Sequence, residues 1–379
     1  MSEAYIVDAC RTPRGRRKGS LAGVHPIDLF GVPLNAIVKR TGIDPKQVDD
    51  VVVGCVSETG EQGTNLARGA VLAAGWPIEV PGVTLNRFCG SGQQAVNFAA
   101  QAIKAGAQDL VIAGGVESMT RVPMGADMGS FPPSLLERYN LVPQGLSAEM
   151  IAEQWHFSRE HLDEFALASQ QKAWRAIQEG RFKKSLIAVE LSQNGERRSF
   201  DTDEHVRPQS TLEGLLALQP SFKPGGRITA GNSSGIVDGA AVVLLASEKK
   251  TQKLRLTPRA RIVDQVIVGS EPVLMLTGPI PATRKALQRS GLNIGDIDLI
   301  EINEAFAPVP LMTMQETGMD PDRVNVNGGA IALGHPLGAT GAMLIGTLLD
   351  ELERQKKRYG LATMCIGFGM GIATIIERI

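Results

Sequence analysis

The order of apolar and polar positions repeats between two distant parts of the chain. Residues 39–44 end a helical pattern at a glycine and lead, over a polar connection, to an apolar run at 49–53. Residues 288–293 do the same, and the apolar run at 298–302 follows at an identical spacing. A glycine just after a helical pattern and a short apolar run beyond it predict a helix followed by a buried strand in each copy.

Segments further along the chain also correspond. Predicted strands at 83–86 and 324–327 run into glycines, and each is followed by a helix and another strand, at 109–113 and 361–364. The matching order of three elements predicts a duplicated α/β fold. Because strands that alternate with helices form parallel sheets, we expect functional residues in the turns beyond the carboxyl ends of the strands.

The region at 119–226 lies between the two copies and differs from them in character. Its first part is rich in Met, Pro and Gly without a clear period, and a helical stripe follows at 162–177. We interpret it as an inserted α-rich domain over the site. The predicted division is an N-terminal half at 1–118 and 227–250, the inserted domain at 119–226, and a C-terminal half at 251–379.

Composition limits the classes of function. The 379 residues are 43% hydrophobic and 21% charged with a net charge of -1, which is typical of a globular protein and gives no reason to expect nucleic acid as a partner. No apolar run approaches the roughly 18 residues of a membrane span, and the first residues lack the pattern of a secretory leader. The four cysteines are scattered without a CxxC pair, so we expect a cytoplasmic protein without a metal site.

Cys89 is the first candidate for chemistry. It lies in the segment NRFCGSG, between a predicted strand and a predicted helix. The free N–H groups and the dipole at a helix N-terminus favour a thiolate, and the glycines let backbone donors approach a substrate oxygen. A cysteine in such a turn can also be a small buried side chain. The position of the turn, between a predicted strand and a predicted helix, favours the interpretation of Cys89 as a nucleophile over that of a small buried side chain.

Three further candidates lie at other strand ends. His335 lies in a glycine-rich segment before a helix, where the imidazole should stay neutral and able to accept a proton. Cys365 follows a buried strand in the segment CIGFGMG, whose glycine spacing differs from the dinucleotide-binding fingerprint. Taken alone, Cys365 is more typical of a core residue, and Asn303 is as suited to capping a turn as to function. Together these residues predict a Cys–His–Cys site with backbone donors.

These segments resemble the thiolases, the family of acetyl-CoA acetyltransferases and 3-ketoacyl-CoA thiolases. The segments NRFCGSG, TAGNSSGIVDGAA, EINEAFA, NVNGGAIALGHPLGATG and CIGFGMG occur in the family's order, and the resemblance covers essentially the whole chain. It implies two similar βαβαβαββ halves in a layered α/β/α/β/α core, with an inserted α-rich loop domain. This fold agrees with the duplication that the pattern predicts.

The resemblance implies a role for each catalytic candidate. Cys89 matches the acylated nucleophile, and His335 matches the base that activates it. Cys365 matches an acid/base that moves the proton at the substrate α-carbon. Asn303 matches the residue that positions a water in one oxyanion hole, and the backbone N–H groups of Cys89 and Gly367 match the other.

Other positions match the binding of coenzyme A. Ser234 corresponds to a contact with the pantetheine arm, and Arg207, Phe222 and Phe306 resemble further lining of that tunnel. The resemblance implies acyl-CoA and coenzyme A as substrates, no permanently bound cofactor, and a homodimer or homotetramer.

The implied reaction is coenzyme-A-dependent cleavage of a 3-ketoacyl-CoA to acetyl-CoA and a shortened acyl-CoA, as in fatty acid β-oxidation, or the reverse Claisen condensation. Two positions depart from the family pattern. Phe368 stands where family members often have glycine, and residues 143–145 replace the His-Met pair of enzymes that make acetoacetyl-CoA. The absence of the His-Met pair and the segment GSGQQA after Cys89 favour substrates with longer or bulkier acyl chains. Phe368 is expected to narrow the pocket near Cys365.

Two other classes of protein remain open. A ketosynthase shares the fold and the nucleophilic cysteine, but it usually pairs that cysteine with two histidines, or with His and Asn, and lacks a second cysteine. The presence of Cys365 argues against it. A lipid carrier that keeps the fold without activity would not require Cys89, His335 and Cys365 to be intact.

Overall fold

Strands and helices alternate along the N-terminal part of the chain, as the sequence pattern predicts. The structure is a computed structural model that describes residues 3–193 and 196–379. Its first elements are β1 (Ala4–Arg11), β2 (Gly15–Arg16), α1 (Pro26–Thr41), β3 (Asp50–Gly54), α2 (Leu66–Ala73), β4 (Val83–Leu85), α3 (Ser91–Lys104) and β5 (Leu110–Ser118).

The inserted region contains four helices, which are its main regular elements, and also a hairpin that the sequence pattern does not predict. Its elements are α4 (Pro133–Leu136), α5 (Gln144–Gln154), α6 (Arg159–Gln178), β6 (Val189–Gln193), β7 (Glu196–Phe200) and α7 (Leu212–Leu216). Helix α6 covers the predicted stripe, and the Ser158 side chain caps it by accepting the backbone N–H of His161. Strands β6 and β7 pair only with each other, and β7 is largely exposed and polar, so no apolar run marks it.

The rest of the chain returns to alternating strands and helices. Its elements are β8 (Val237–Ser247), α8 (Glu248–Leu254), β9 (Ala260–Gly269), α9 (Pro279–Ser290), β10 (Leu299–Ile302), α10 (Pro308–Thr317), α11 (Ala330–Leu333), α12 (Leu337–Gln355), β11 (Tyr359–Ile366) and β12 (Met370–Arg378). All residues of β8 are buried, which explains its continuous apolar run.

The two halves of the sheet share a strand order, except that β4 has no counterpart among the described strands of the second half. Read outward from the join, the first half runs β1-β8-β5-β3-β4 and the second β9-β12-β11-β10, and β1 and β9 join them by a short antiparallel pairing. In both halves the parallel pairs lie at the outer end, β3 with β4 and β5 and β10 with β11. Helices α3 and α12 pack against each other and against strands of both halves, as the middle layer of the fold. The predicted duplicated, layered α/β fold is therefore confirmed.

The strand predicted at 324–327 is wrong. Val324 makes only an isolated bridge to Ile300, and Asn325 has a φ of 46°. The Asn325 side chain accepts the backbone N–H of Ile302 and donates to the carbonyl oxygen of the same residue, both at 2.8 Å. A side-chain amide thus takes the place of the peptide group that would have continued the ladder.

Helices α3 and α12 approach each other at glycines. A Cβ atom on Gly92 of α3 would lie 2.5 Å from a carbonyl oxygen of α12, and one on Gly341 of α12 would lie 2.3 Å from a backbone nitrogen of α3. Neither distance leaves room for a side chain. Because α3 follows the turn that holds Cys89 and α12 follows the turn that holds His335, this contact brings the two turns together.

Replacing Gly341 by alanine tests the contact. Gly341→Ala should lower the free energy of unfolding by about 2 kcal/mol, since the clash with backbone outweighs the better helix propensity of alanine. Gly31→Ala in α1 is the matched control, because a Cβ there meets nothing within 4 Å, and it should stabilise the protein by roughly 0.5–1 kcal/mol. Chemical denaturation measures both changes. Stabilisation of similar size by both substitutions would contradict the close packing.

Candidate active site

All four cysteines are buried and free, so burial alone does not single one out. Cys10 donates its thiol to the carbonyl oxygen of Pro33 at 3.4 Å. Cys55 lies beside Glu117, whose charge adds to the larger effect of burial in raising the pKa of the Cys55 thiol. Neither environment stabilises a thiolate, so we assign both side chains to the core.

Cys89 lies in the turn between β4 and α3, among backbone donors. Burial raises the pKa of its thiol, and its own N–H and the N–H of Gly367 act against this as hydrogen-bond donors to the sulfur. Gly367 follows β11 in the other half of the sheet. The two turns are in close contact, since a Cβ on Gly90 would lie 2.5 Å from the side chain of Ile366. Each half of the fold therefore contributes one N–H donor to the same sulfur.

Cys365 lies close to Cys89 at the end of β11 and is 1% exposed. Burial, and then the charge of a Cys89 thiolate, raise the pKa of the Cys365 thiol. Cys365 packs in an apolar cluster with residues of the inserted region such as Ala148 and Ile151. The second thiol is therefore protonated at neutral pH and able to donate its proton, at the point where both halves and the inserted region meet.

His335 has a partner on each ring nitrogen. The Thr340 hydroxyl donates to the carbonyl oxygen of Pro336 at 2.8 Å, so its oxygen accepts the N–H of Nδ1, which lies at 2.6 Å. The other nitrogen, Nε2, is 3.3 Å from Nδ2 of Asn303. We assign the proton to Nδ1 from this network, so the lone pair of Nε2 accepts the long hydrogen bond from the Asn303 amide and is the site that can take up a proton.

The His335 ring is neutral at physiological pH. Burial, with a smaller contribution from the charge of Arg14, lowers its pKa to about 3. The side-chain oxygen of Asn303 is buried and has no hydrogen-bond partner among the residues that the structure describes. A buried oxygen of this kind is suited to holding a water or a polar substrate group beside the ring.

The thiolate expected from the helix N-terminus is not the resting state of Cys89, and that prediction is wrong. Burial raises the pKa of this thiol to about 11, against the opposing effect of the two N–H donors. The motif reveals the donors, but it does not reveal that the side chain is only 6% exposed. Cys89 is a thiol at rest, so it needs a base to become a nucleophile.

The residues beside the two N–H donors are phenylalanines with left-handed backbone. Phe88 has a φ of 44° and Phe368 a φ of 61°, which costs bulky side chains on the order of 1–2 kcal/mol each. Their ring centroids are 5.3 Å apart, and the Phe368 ring also contacts Phe131 of the inserted region at 5.4 Å. These ring contacts offset the strain and fix the backbone on either side of the sulfur.

Three of the residues predicted to bind coenzyme A share one region. Ser234 donates its backbone N–H to the carbonyl oxygen of Ala305 at 3.0 Å, which places it beside Phe306. Phe306 is buried and Phe222 is exposed, and their rings meet edge to face with centroids 5.9 Å apart. The residue after Ser234 accepts the backbone N–H of His335 at 2.9 Å, so this region borders the histidine turn.

Arg207, the fourth of these residues, lies at the margin of that region. It is exposed, and its backbone N–H donates to the side chain of Gln170 at 2.8 Å. Its charge adds to burial in lowering the pKa of His205 to about 4, and His205 packs against Gly235. No hydrogen bond or ring contact within 3–193 and 196–379 joins Arg207 to Phe222.

Sequence reasoning missed two contributors to the site. Thr340 fixes the His335 tautomer, and its position in the first turn of α12 was the available signal. Gln144 begins α5, and its side-chain nitrogen lies 3.6 Å from where a Cβ on Gly367 would be. The sequence marks Gln144 only as a departure from a family pattern, since nothing local shows that the inserted region reaches Gly367.

Two features are absent from the described part of the chain. No group of three or more His, Cys, Asp or Glu side chains there is arranged to hold a metal ion. None of the helices described is both long enough and apolar enough to span a bilayer.

Removing the imidazole should expose the dependence of Cys89 on a base. Below its pKa of about 11 the thiolate fraction of an isolated thiol rises about tenfold per pH unit, so His335→Asn should slow alkylation of Cys89 by iodoacetamide on the order of 100-fold at pH 7, and the deficit should shrink towards pH 11. Mass spectrometry of the Cys89 peptide measures the rate, and His161→Asn on the exposed face of α6 is the control. A deficit independent of pH would contradict this account.

Comparisons with known proteins agree with this geometry. The chain matches the thiolase N-terminal domain over residues 4–249 and the thiolase C-terminal domain over residues 256–378. It is 50% identical to a steroid 3-ketoacyl-CoA thiolase of Mycobacterium tuberculosis, over 100% of this chain and 95% of that protein. It is 46% identical to a β-ketoadipyl-CoA thiolase of Acinetobacter baylyi, over the full length of both.

A solved structure extends the agreement to three dimensions. The crystal structure of the Bacillus anthracis acetyl-CoA acetyltransferase superimposes with a TM-score of 0.93 at 38% identity, over 100% of this chain and 99% of that one. Two domain matches, relatives at high identity and the shared fold lead to one conclusion: this chain belongs to the thiolase family and is an acyltransferase.

Proposed function

We propose that the protein cleaves a 3-ketoacyl-CoA with coenzyme A, through an acyl group carried on Cys89, and that it catalyses the reverse condensation under product excess. The observation that carries the proposal is the proximity of two thiols: charge on Cys89 raises the pKa of Cys365, and the N–H of Gly367, two residues after Cys365, donates to the Cys89 sulfur. Two thiols at one reacting centre suit a reaction in which one carries the acyl group and the other moves a proton.

In the proposed first half-reaction, Nε2 of His335 takes the proton of Cys89, and the thiolate attacks the 3-keto carbon. The C2–C3 bond breaks, and its electron pair forms the enolate of acetyl-CoA. Asn303 with a held water, and Nε2 of the histidine, stabilise that enolate oxygen. Cys365 then donates its proton to the α-carbon, and acetyl-CoA leaves.

In the second half-reaction, Cys365 accepts the thiol proton of an incoming coenzyme A. The new thiolate attacks the acyl carbonyl on Cys89, whose oxygen lies towards the N–H groups of Cys89 and Gly367. Cys89 leaves and recovers its proton from His335. The coenzyme serves as a co-substrate and lies along Ser234, Phe222 and Phe306, with Arg207 at the entrance.

The proposed substrates have acyl groups longer or bulkier than that of acetoacetyl-CoA. The relatives named as steroid 3-ketoacyl-CoA and β-ketoadipyl-CoA thiolases support this, as does Gln144 beside Gly367 in place of a His-Met pair. These names do not single out fatty acid β-oxidation, which remains a prediction. A homo-oligomer and a cytoplasmic location also belong to the proposal.

The nearest alternatives are less compatible with the site. A ketosynthase has no use for a second thiol beside the nucleophile, whereas Cys365 lies there. A carrier without activity would not require the neutral imidazole of His335 and the free Asn303 oxygen.

Acyl transfer to Cys89 is directly testable. The wild-type protein should cleave acetoacetyl-CoA in the presence of coenzyme A and, without coenzyme A, gain one labile acyl group on Cys89. Cys89→Ser should lose both, because a serine hydroxyl beside a neutral imidazole is a far weaker nucleophile towards the ketone. Cys10→Ser, a buried cysteine away from the site, is the control. An acyl adduct that persists on Cys89→Ser, by mass spectrometry, would refute the assignment.

Acyl preference is a separate prediction. Turnover of a series of 3-ketoacyl-CoAs that includes straight, branched, carboxylated and ring-bearing chains should give a kcat/KM for the preferred substrate at least about tenfold above that for acetoacetyl-CoA, as expected for 1–3 kcal/mol of extra apolar contact. The highest kcat/KM for acetoacetyl-CoA would rule out the preference for bulky substrates and leave the thiolase assignment intact.

A further inference from the structure

Glu117 is a fully buried carboxylate whose partners are neutral N–H groups and the thiol of Cys55, whose sulfur lies 3.9 Å from Oε1. One oxygen, Oε2, accepts the backbone N–H groups of Val56 and Gly338, both at 2.9 Å. The other, Oε1, accepts the backbone N–H of Ser57 at 3.1 Å and a side-chain N–H of Gln62 at 2.7 Å. Four N–H donors therefore converge on one carboxylate, one for each of its lone pairs, and the weaker thiol contact adds to the bonds on Oε1.

On one side, Glu117 is connected to the turn of the nucleophile. Val56, held by Oε2 through its N–H, accepts the side-chain N–H of Asn86 on its carbonyl oxygen at 2.8 Å. The side-chain oxygen of Asn86 in turn accepts the backbone N–H of Phe88 at 2.7 Å. Three hydrogen bonds thus lead from the carboxylate to the residue before Cys89.

On the other side, the same oxygen holds the turn of the histidine. Gly338 lies in the first turn of α12, three residues after His335, and its N–H has no partner within the helix. A carboxylate at a helix N-terminus is favoured by the dipole of the helix. Glu117 therefore caps the helix that begins at the histidine turn.

We propose that Glu117 is a positioning residue, whose carboxylate sets the spacing between the Cys89 turn and the His335 turn through Val56 and Gly338. The proposal rests on the function proposed above, because it assigns a consequence to that spacing. No atom of Glu117 touches the substrate in the proposed reaction. Its effect is confined to how the thiol and the imidazole face each other.

The binding of two backbone N–H groups to a single oxygen of Glu117 explains why a carboxylate is needed at this position. Both the Val56 and the Gly338 N–H groups bind Oε2, so the two segments share one acceptor and move together. An amide in place of the carboxylate turns its NH₂ group towards two N–H donors in either orientation, which removes two hydrogen bonds and separates the segments. An aspartate keeps the charge and withdraws the acceptor by about one methylene.

The test compares Glu117→Gln and Glu117→Asp with wild type in a single turnover. Each protein is mixed with a 3-ketoacyl-CoA in the absence of coenzyme A, and acyl-Cys89 is followed by rapid quench and mass spectrometry. The rate constant of acylation should fall by about tenfold to 100-fold in both variants, since a misplacement of about 1 Å costs on the order of 10²-fold. The KM for coenzyme A should stay within about twofold, because the Ser234 region is untouched.

The rate constant and the amplitude separate positioning from folding. A structural role alone would reduce the amplitude of acylation, which counts folded sites, and leave the rate constant unchanged; that result would overturn the proposal. If Glu117→Gln does not fold, the more conservative Glu117→Asp decides. An unchanged rate constant in the folded variants also overturns it.

Asp49→Asn is the matched control, because Asp49 precedes β3 and its carboxylate binds the opposite end of β5, the strand that carries Glu117. The Asp49 carboxylate accepts the backbone N–H groups of Asp109 and Leu110, at 2.7 and 2.8 Å, just before and at the start of β5. Asp49→Asn should leave the acylation rate constant within about twofold of wild type. If this rate constant falls as far as in the Glu117 variants, the result counts against the positioning role of Glu117. If the wild-type protein forms no acyl-Cys89, this result refutes the proposed function itself.

Discussion

The candidate active site depends on the contact between two helices that approach each other most closely at glycines. Helices α3 and α12 lie in the middle layer, and their close approach requires glycine at positions 92, 338 and 341. The contact extends to the sheet, since a Cβ on Gly115 of β5 would lie 1.9 Å from the carbonyl oxygen of Gly338. Glycine inside a helix costs about 1 kcal/mol relative to alanine. That cost is tolerated here because the contact places the starts of both helices, and so the turns that hold Cys89 and His335, at one point between the two halves.

Burial then determines how the groups at that point ionise. The pKa of Cys89 is raised and that of His335 is lowered by the same cause, loss of contact with water. The resting pair is therefore a thiol and a neutral imidazole, which avoids a buried ion pair until substrate arrives. In the proposed reaction, the N–H groups of Cys89 and Gly367 are already oriented towards the sulfur when the proton moves. Donors fixed in advance in a dry site stabilise developing charge without a cost of reorganisation.

The fold and the set of candidate residues were accessible from sequence because they depend on local patterns. The repeated helix–glycine–strand pattern predicts the duplicated sheet, and glycine-rich turns at strand ends predict where Cys89, His335, Asn303 and Cys365 lie. Features that depend on contacts between distant segments were not accessible. The strand expected at 324–327 fails because the Asn325 side chain replaces a peptide group, and the resting thiol at position 89 follows from burial by the whole fold. Glu117 lies at the end of β5 shortly after Gly114 and Gly115, but nothing local distinguishes its carboxylate, and only the convergence of four N–H donors identifies it.

The most direct test of the account is the structure of the acylated protein. After reaction with an acyl-CoA in the absence of free coenzyme A, the crystal structure should show a thioester on Cys89 with its carbonyl oxygen about 2.7–3.1 Å from the backbone nitrogens of Cys89 and Gly367. The sulfur of Cys365 should lie on the side from which the second substrate approaches. An acyl group on another residue, or a carbonyl oxygen directed away from both nitrogens, would contradict the site described here.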